Sequence, residues 1–322
     1  MKVGLDVLGG DFAPAATMDG ALLALGELAA GDVLVLFGDE QEIRARIPSD
    51  QPYSDRLEIV HAPVQIGMGE HPTRAFTQKP DSSIATGFRM LSEGSIDAFC
   101  GAGNTGAMLV GSIYSVNTIQ GIIRPATCTL VPREDGGVNL LIDVGTNPDA
   151  KPDVMYQFGL LGHIYMRYLL GVRNPRVGLL NIGTEEEKGN ILCQSAYTLM
   201  KDSRDFDFIG NVESRDLFKE KAEVIVTDGF TGNIILKQME ATYRMLVKRG
   251  LVDEYIQRFN YESYGGSPIL GINASVVIGH GISNATAIKN MILLSANIHK
   301  AGLPEQIRRA MHCYLGRTGK ED

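Results

Sequence analysis

Short apolar runs rich in β-branched residues alternate along the chain with longer stretches in which apolar residues recur every three or four positions. The runs at 2–7, 33–37, 57–61, 96–100, 138–143, 176–181, 206–209 and 223–227 have the length and bounding residues of strands. The stretches at 14–30, 82–92, 104–117, 153–170, 190–201 and 233–248 carry the helical period. Strand followed by helix, repeated, predicts an α/β fold with a doubly wound, mostly parallel sheet. With 322 residues, 44% of them hydrophobic, the chain can bury one large core or two lobes, so a single α/β catalytic unit over 1–322 is expected. No repeat or linker interrupts it, and 316–322 reads as a frayed tail.

Parallel strands end at a carboxyl edge where such sheets hold ligands, so the turns after the strands are where chemistry is expected. They read Asp6-Val-Leu-Gly-Gly-Asp11, Gly101-Ala-Gly-Asn-Thr-Gly106, Asp143-Val-Gly-Thr-Asn147, Asn181-Ile-Gly-Thr-Glu-Glu-Glu-Lys188, Gly210-Asn-Val-Glu213 and Asp228-Gly-Phe-Thr-Gly-Asn233. Glycine supplies 37 of the 322 residues, about 11% against a usual figure near 7%. These glycines fall singly or in pairs between apolar runs, which marks site-bearing turns and not a flexible linker.

The turn from Gly101 to Gly106 matches the dinucleotide-binding pattern G-x-G-x-x-G, but the acid that should hold a ribose about 20 residues later is missing. Gly121-Ile-Ile-Arg-Pro125 stands there instead, and the turn follows the fourth strand, not the first. Two readings survive. Backbone N–H groups at Gly103, Asn104, Thr105 and Gly106 can seat one phosphate at a helix start, or Asn104 only caps its own helix while the glycines permit close packing. Upstream, Arg74 and Lys79 are candidate counter-charges, and Asp81 or Ser82 can cap the next helix. Lys151 follows the 143–147 turn and is either a solvated lysine or a ligand-facing cation. The triplet Glu185-Glu186-Glu187 fits a turn or helix start better than a metal site, with Lys188 and Asn190 as candidate contacts. His71 and His280 fall in Gly- or Pro-marked loops.

A net charge of −8 argues against a nucleic-acid partner, and any acidic partner needs a local basic patch. Arg244 and Lys248 stand four apart on one predicted helix, near Lys237 and Arg249, and form either that patch or an ordinary solvated face. The four cysteines, Cys100, Cys128, Cys193 and Cys313, lack paired spacing and read as reduced thiols. The acid at position 6 excludes a signal peptide at this N-terminus, and no apolar run approaches membrane-span length, so a cytoplasmic protein is expected.

Taken together the turns resemble those of the bacterial phosphate acyltransferases, which act on acyl-[acyl carrier protein]. The marks are Leu5-Asp-Val-Leu-Gly-Gly-Asp11, Lys79-Pro-Asp-Ser-Ser83, Ala102-Gly-Asn-Thr-Gly-Ala107, Asp143-Val-Gly-Thr-Asn147 with Lys151-Pro152, Gly178-Leu-Leu-Asn-Ile-Gly183, Phe208-Ile-Gly-Asn-Val-Glu213, the run from Asp228 to Lys237, and Tyr264-Gly-Gly-Ser-Pro-Ile-Leu-Gly271. The resemblance implies a homodimeric enzyme with a fold like phosphate acetyltransferases and isopropylmalate dehydrogenases, using no metal, nucleotide or other cofactor. Its reaction would take acyl carrier protein bearing a long chain, plus inorganic phosphate, to acyl phosphate, which feeds phospholipid synthesis. Two departures stand out: Gly101 replaces a serine common in the family, and the segment 250–259 is short and carries two acids, which implies only weak peripheral membrane contact.

Phosphate near neutral pH is already a nucleophile, so such a site must position it and stabilise an oxyanion. The expected assignment places phosphate at Gly103, Asn104, Thr105 and Gly106 with Lys151 or Arg74 as counter-charge. Asn147, Asn211 or Asn233 would donate to the thioester oxygen, and Asp81, Ser82, Asp228, Arg244 and Lys248 would serve the acyl chain or its carrier. Rival readings are a short-chain phosphate acetyltransferase using coenzyme A, a metal-dependent decarboxylating dehydrogenase lacking a convincing Asp set, and a binding protein without turnover.

Overall fold

The computed structural model describes residues 1–319. Its strands are β1 (Lys2–Asp6), β2 (Val33–Gly38), β3 (Leu57–His61), β4 (Ala98–Gly101), β5 (Ala126–Pro132), β6 (Val138–Ile142), β7 (Arg176–Leu180), β8 (Asp207–Val212), β9 (Val224–Val226), β10 (Ser267–Leu270) and β11 (Ser275–Ile278). Its α-helices are α1 (Ala15–Leu25), α2 (Glu40–Arg46), α3 (Pro72–Gln78), α4 (Ser83–Ser92), α5 (Thr105–Ser115), α6 (Pro152–Tyr168), α7 (Ile191–Met200), α8 (Gly229–Lys248), α9 (Glu254–Gln257), α10 (Ala285–Lys300) and α11 (Leu303–Thr318). All eight runs expected as strands are strands, which establishes the α/β, mostly parallel class. The expected tail at 316–322 begins inside α11, whose helix reaches Thr318, while 320–322 lie outside the described residues.

The chain divides into two compact units, one built from Met1–Thr118 and Tyr261–Gly302, the other from Ile119–Asn260 and Leu303–Asp322. In the first, strands run in the order β3-β2-β1-β4-β11-β10. All neighbours are parallel, with Val3 opposite Leu34 and Ala98, except the β10/β11 pair. Four of the five residues of β1 are buried, as expected of a strand covered on both faces. The core stacks Phe88 edge-on against Phe99 at 5.1 Å, and Phe99 edge-on against Phe37 at 5.7 Å. Edge-to-face rings of this spacing add about 0.5–1.5 kcal/mol each beyond their burial.

In the second unit the order is β5-β6-β9-β7-β8. β6, β9, β7 and β8 are parallel, so the loops after all four emerge at one carboxyl edge. β5 runs antiparallel to β6, with Cys128 opposite Ile142, so residues preceding β5 lie at that same edge. Val131, Leu141, Val144, Val212, Leu217 and Ile225 form part of the core beneath it.

Candidate active site

In the first unit the Gly101–Gly106 turn is tightly occupied by its own chain. Asn104, 4% exposed, caps α5: its side-chain oxygen accepts from the Ala107 amide at 2.9 Å. Its amide nitrogen donates to the carbonyls of Gly67 and Glu70, both at 3.0 Å, knitting the 67–70 loop to the helix start. A β-carbon at Gly103 would come within 3.0 Å of the Asp6 carboxylate, and one at Gly106 would run into the Pro72 ring. Capping and close approach therefore account for Asn104, Gly103 and Gly106, and only Thr105 is exposed. Ser82 is buried and caps α4 through the Ala85 amide, while Asp81 and Arg74 are exposed. Lys79 is tied to Glu70 at 2.6 Å, which holds the Glu70 carboxyl below its usual pKa. Asn104→Ala is expected to cost about 1–2 kcal/mol through the lost cap, read by urea unfolding, with the Michaelis constant for phosphate unchanged.

Beneath this turn the Asp6 carboxyl is 1% exposed, and burial pushes its pKa up to about 6 despite the bond from the Leu8 amide. An ionised Asp6 directly under Gly103 disfavours an anion above it. Because the folded pKa lies above the unfolded 3.8, the folded state holds a proton the unfolded chain has lost between those values. Stability is thus lost as pH rises through that window. Relative to Asp6→Asn, the wild type should lose on the order of 3 kcal/mol of unfolding free energy between pH 4 and pH 7. A pH-independent difference between the two proteins in urea titrations contradicts this.

In the second unit the carboxyl edge is organised by Asp143, which is fully buried. One carboxylate oxygen accepts from the Thr127 hydroxyl at 3.0 Å and from the amides of Thr127, Gly145 and Thr146; the other accepts from the Asn147 amide at 2.7 Å and the Asn147 side chain at 2.9 Å. This many donors both hold the carboxylate and fix the 143–147 loop. Gly145 sits at φ +142°, a region closed to most side chains. Gly232, in the first turn of α8, leaves room for the Asp143 carbonyl, and the Gly229 amide donates to the Asn147 carbonyl at 2.9 Å. Asp228 caps α8, accepting from the Thr231 amide at 2.9 Å and hydroxyl at 2.7 Å.

The three asparagines expected as oxyanion donors have different surroundings. Asn147 has both side-chain N–H groups engaged, one with the Pro125 carbonyl at 2.8 Å and one with Asp143. Asn211, 3% exposed, donates to the Glu185 carbonyl at 2.7 Å, and its own side-chain oxygen is buried without a hydrogen bond. Asn233 is exposed at the start of the second turn of α8, with its side-chain oxygen 3.5 Å from where a Gly145 β-carbon would stand. Among the described residues its side chain makes no hydrogen bond.

Beside the 143–147 loop lies a cavity of about 320 Å³ lined by Ile123, Arg124, Thr146, Asn147, Pro148, Asp149, Ala150, Lys151 and Val154. Lys151, at the start of α6, and Arg124, just before β5, are both exposed and without an ion-pair partner among the described residues. Two unpaired cations on one polar cavity suit a small anion. Arg124 escapes sequence reasoning because its turn precedes a strand not expected there; the Arg-Pro pair ahead of the alternating 126–132 run is the signal that could have found it. The glutamate triplet is structural in part: Glu186 pairs with Lys201 at 2.9 Å, and the Glu185 carbonyl holds Asn211. Arg244 and Lys248 are exposed on α8 and unpaired among the described residues.

Residues 1–249 match the family model described as "Fatty acid synthesis protein". A phosphate acyltransferase of Dictyoglomus turgidum is 40% identical over 97% of this chain and 98% of its own length, and one of Brevibacillus brevis is 38% identical over 97% of each. Among solved structures, a phosphotransacetylase from Streptococcus pyogenes superimposes with a TM-score of 0.66, covering 93% of this chain and 94% of that one. Its 15% sequence identity makes that a likeness of fold. With full-length similarity at this level, the chain belongs to the phosphate acyltransferase family.

Proposed function

We propose that this protein transfers a long-chain acyl group from acyl carrier protein to inorganic phosphate, giving acyl phosphate and free carrier protein for phospholipid synthesis, and that the reaction occurs at the carboxyl edge of the second unit. The observation carrying the site assignment is the pairing of Arg124 and Lys151 on one cavity beside a loop that Asp143 holds rigid. Phosphate sits between the two cations. One of its oxygens attacks the thioester carbonyl carbon, forming a C–O bond while the carbonyl π electrons move onto oxygen. The oxyanion accepts a hydrogen bond from the Asn233 side chain; its collapse breaks the C–S bond, and the carrier thiolate leaves and takes up a proton from water. Positioning and charge stabilisation suffice, because dianionic phosphate needs no strong base.

The acidic carrier is proposed to dock on the outer face of α8, where Arg244 and Lys248 stand beside exposed Met245. Reversing both cations to glutamate should raise the Michaelis constant for carrier-bound chains about ten-fold at low salt, with the effect shrinking as salt screens it; a salt-independent constant removes the patch. The same substrates offered on coenzyme A should be unaffected by the reversal. No helix among the described residues is long and apolar enough to cross a membrane. Exposed Ile182, Ile191, Phe230 and Ile234 support self-association as a homodimer, and exposed Leu251 supports weak membrane contact. The activity itself is tested by following release of free carrier thiol with and without phosphate: release only when phosphate is present supports the assignment, and phosphate-independent release contradicts it.

A further inference from the structure

Arg124 has an exposed side chain with no ion-pair partner among the described residues, so only its backbone aims it at the cavity. That backbone is held from both sides. Ahead of it stands Gln157 on α6, 1% exposed, whose side-chain oxygen accepts from the Ile123 amide at 2.8 Å and whose nitrogen donates to the Gly121 carbonyl at 2.7 Å. Behind it, the Asn147 side chain donates to the Pro125 carbonyl at 2.8 Å.

Burying an amide is costly unless its polar atoms are bonded. Along α6 the neighbours Val154, Phe158 and Leu161 are buried and apolar, and an apolar residue at 157 would satisfy packing alone. What the amide adds is a fixed distance between α6 and the 121–123 turn. The turn cannot retreat on its far side: Gly121 stands at φ +84°, and a β-carbon there would lie 2.8 Å from the Leu315 side chain and 3.0 Å from that of Met311, both on α11. One helix therefore displays one cation and aims the other. Lys151 caps the start of α6 and lines the cavity with Val154, while Gln157, one turn beyond Val154, fixes the turn whose next residue is Arg124. We infer that Gln157 is a positioning residue for phosphate, holding the base of Arg124 at a set distance from the helix that carries Lys151. This role rests on the reaction site proposed above. Gln157 does not itself line the cavity, so it acts through Arg124. Placement matters there because a misplacement of about 1 Å can cost on the order of 10²-fold.

Two variants test the role, each checked for a native thermal unfolding transition: Gln157→Met, which keeps the length and loses both bonds, and Gln157→Asn, which keeps the amide on a stem one methylene shorter. In the intact enzyme Gln157→Met should raise the Michaelis constant for inorganic phosphate about ten-fold and Gln157→Asn about three-fold, with the constant for the acyl carrier substrate within about two-fold of wild type. Coupling separates positioning from simple support of the fold. Added to Arg124→Ala, Gln157→Met should change the phosphate constant less than about two-fold, since no guanidinium remains to be placed, whereas a merely structural defect would act by the same factor in both backgrounds. A phosphate constant that responds to Arg124→Ala but to neither Gln157 variant overturns the role, as does a ten-fold rise that persists in Arg124→Ala. If Arg124→Ala itself leaves the phosphate constant unchanged, the cavity assignment has failed and the role of Gln157 falls with it. If the wild type forms no acyl phosphate, calorimetric titration with inorganic phosphate alone decides: Gln157→Met should bind it about ten-fold more weakly than wild type, and equal affinities contradict the role.

Discussion

Asn233→Ala is expected to lower kcat for acyl phosphate formation by about 10²–10³-fold, the usual worth of one oxyanion donor, while the protein remains folded. The side chain is exposed near the start of α8 and makes no hydrogen bond among the described residues, so its removal should leave urea unfolding nearly unchanged. Asn147→Ala should show the opposite pattern. Its amide bridges the Pro125 carbonyl and the buried Asp143 carboxylate, and losing a charge-assisted bond there costs about 1.5–3 kcal/mol of stability. Asn211→Ala tests the remaining candidate, whose amide is already bonded to Glu185. A large kcat loss at Asn211 with none at Asn233 reassigns the donor.

The second large effect is expected at the cation pair. Lys151→Ala and Arg124→Ala each remove a charge-assisted hydrogen bond to phosphate, worth about 1.5–3 kcal/mol, so the Michaelis constant for phosphate should rise about 10- to 100-fold in each. The constant for the acyl donor should change little, because neither side chain lies on α8. Arg124→Lys keeps the charge but loses the planar fork, so partial recovery is expected there. Because both residues act on one anion, the double variant should fall short of the product of the single effects. An unchanged phosphate constant in both single variants removes this cavity from the site.

Much of the fold was legible because the parallel strands β1, β2, β6, β7 and β9 are almost wholly buried and read as apolar runs. β5 was not, since its pattern Ala-Thr-Cys-Thr-Leu-Val-Pro mixes small and polar residues and follows a proline. That omission hid Arg124, whose place at the reaction edge follows only from the antiparallel pairing of β5 with β6. β10 and β11 are four residues each, and Pro268 inside β10 argues against a strand from sequence alone. α10 was readable in principle, with buried Ala287, Ile288, Met291, Ile292, Ser295 and Ala296 following the helical period. In the candidate site, sequence reasoning found the turns but could not separate ligand contacts from internal ones. Asn104, Ser82 and Asp228 are the residue types that cap helices, and capping is where the structure places them. Asn147 looked like a free donor because its partner, the Pro125 carbonyl, is 22 positions away in the chain.

The most direct test of the central claim is to incubate the purified protein with palmitoyl-acyl carrier protein and phosphate, trap the product with hydroxylamine and quantify palmitoyl hydroxamate. A phosphate-dependent yield that is lost in Asn233→Ala and restored in Lys151→Ala by raising phosphate is the expected result. Hydroxamate formed equally without phosphate, or none formed by the folded wild type, contradicts it.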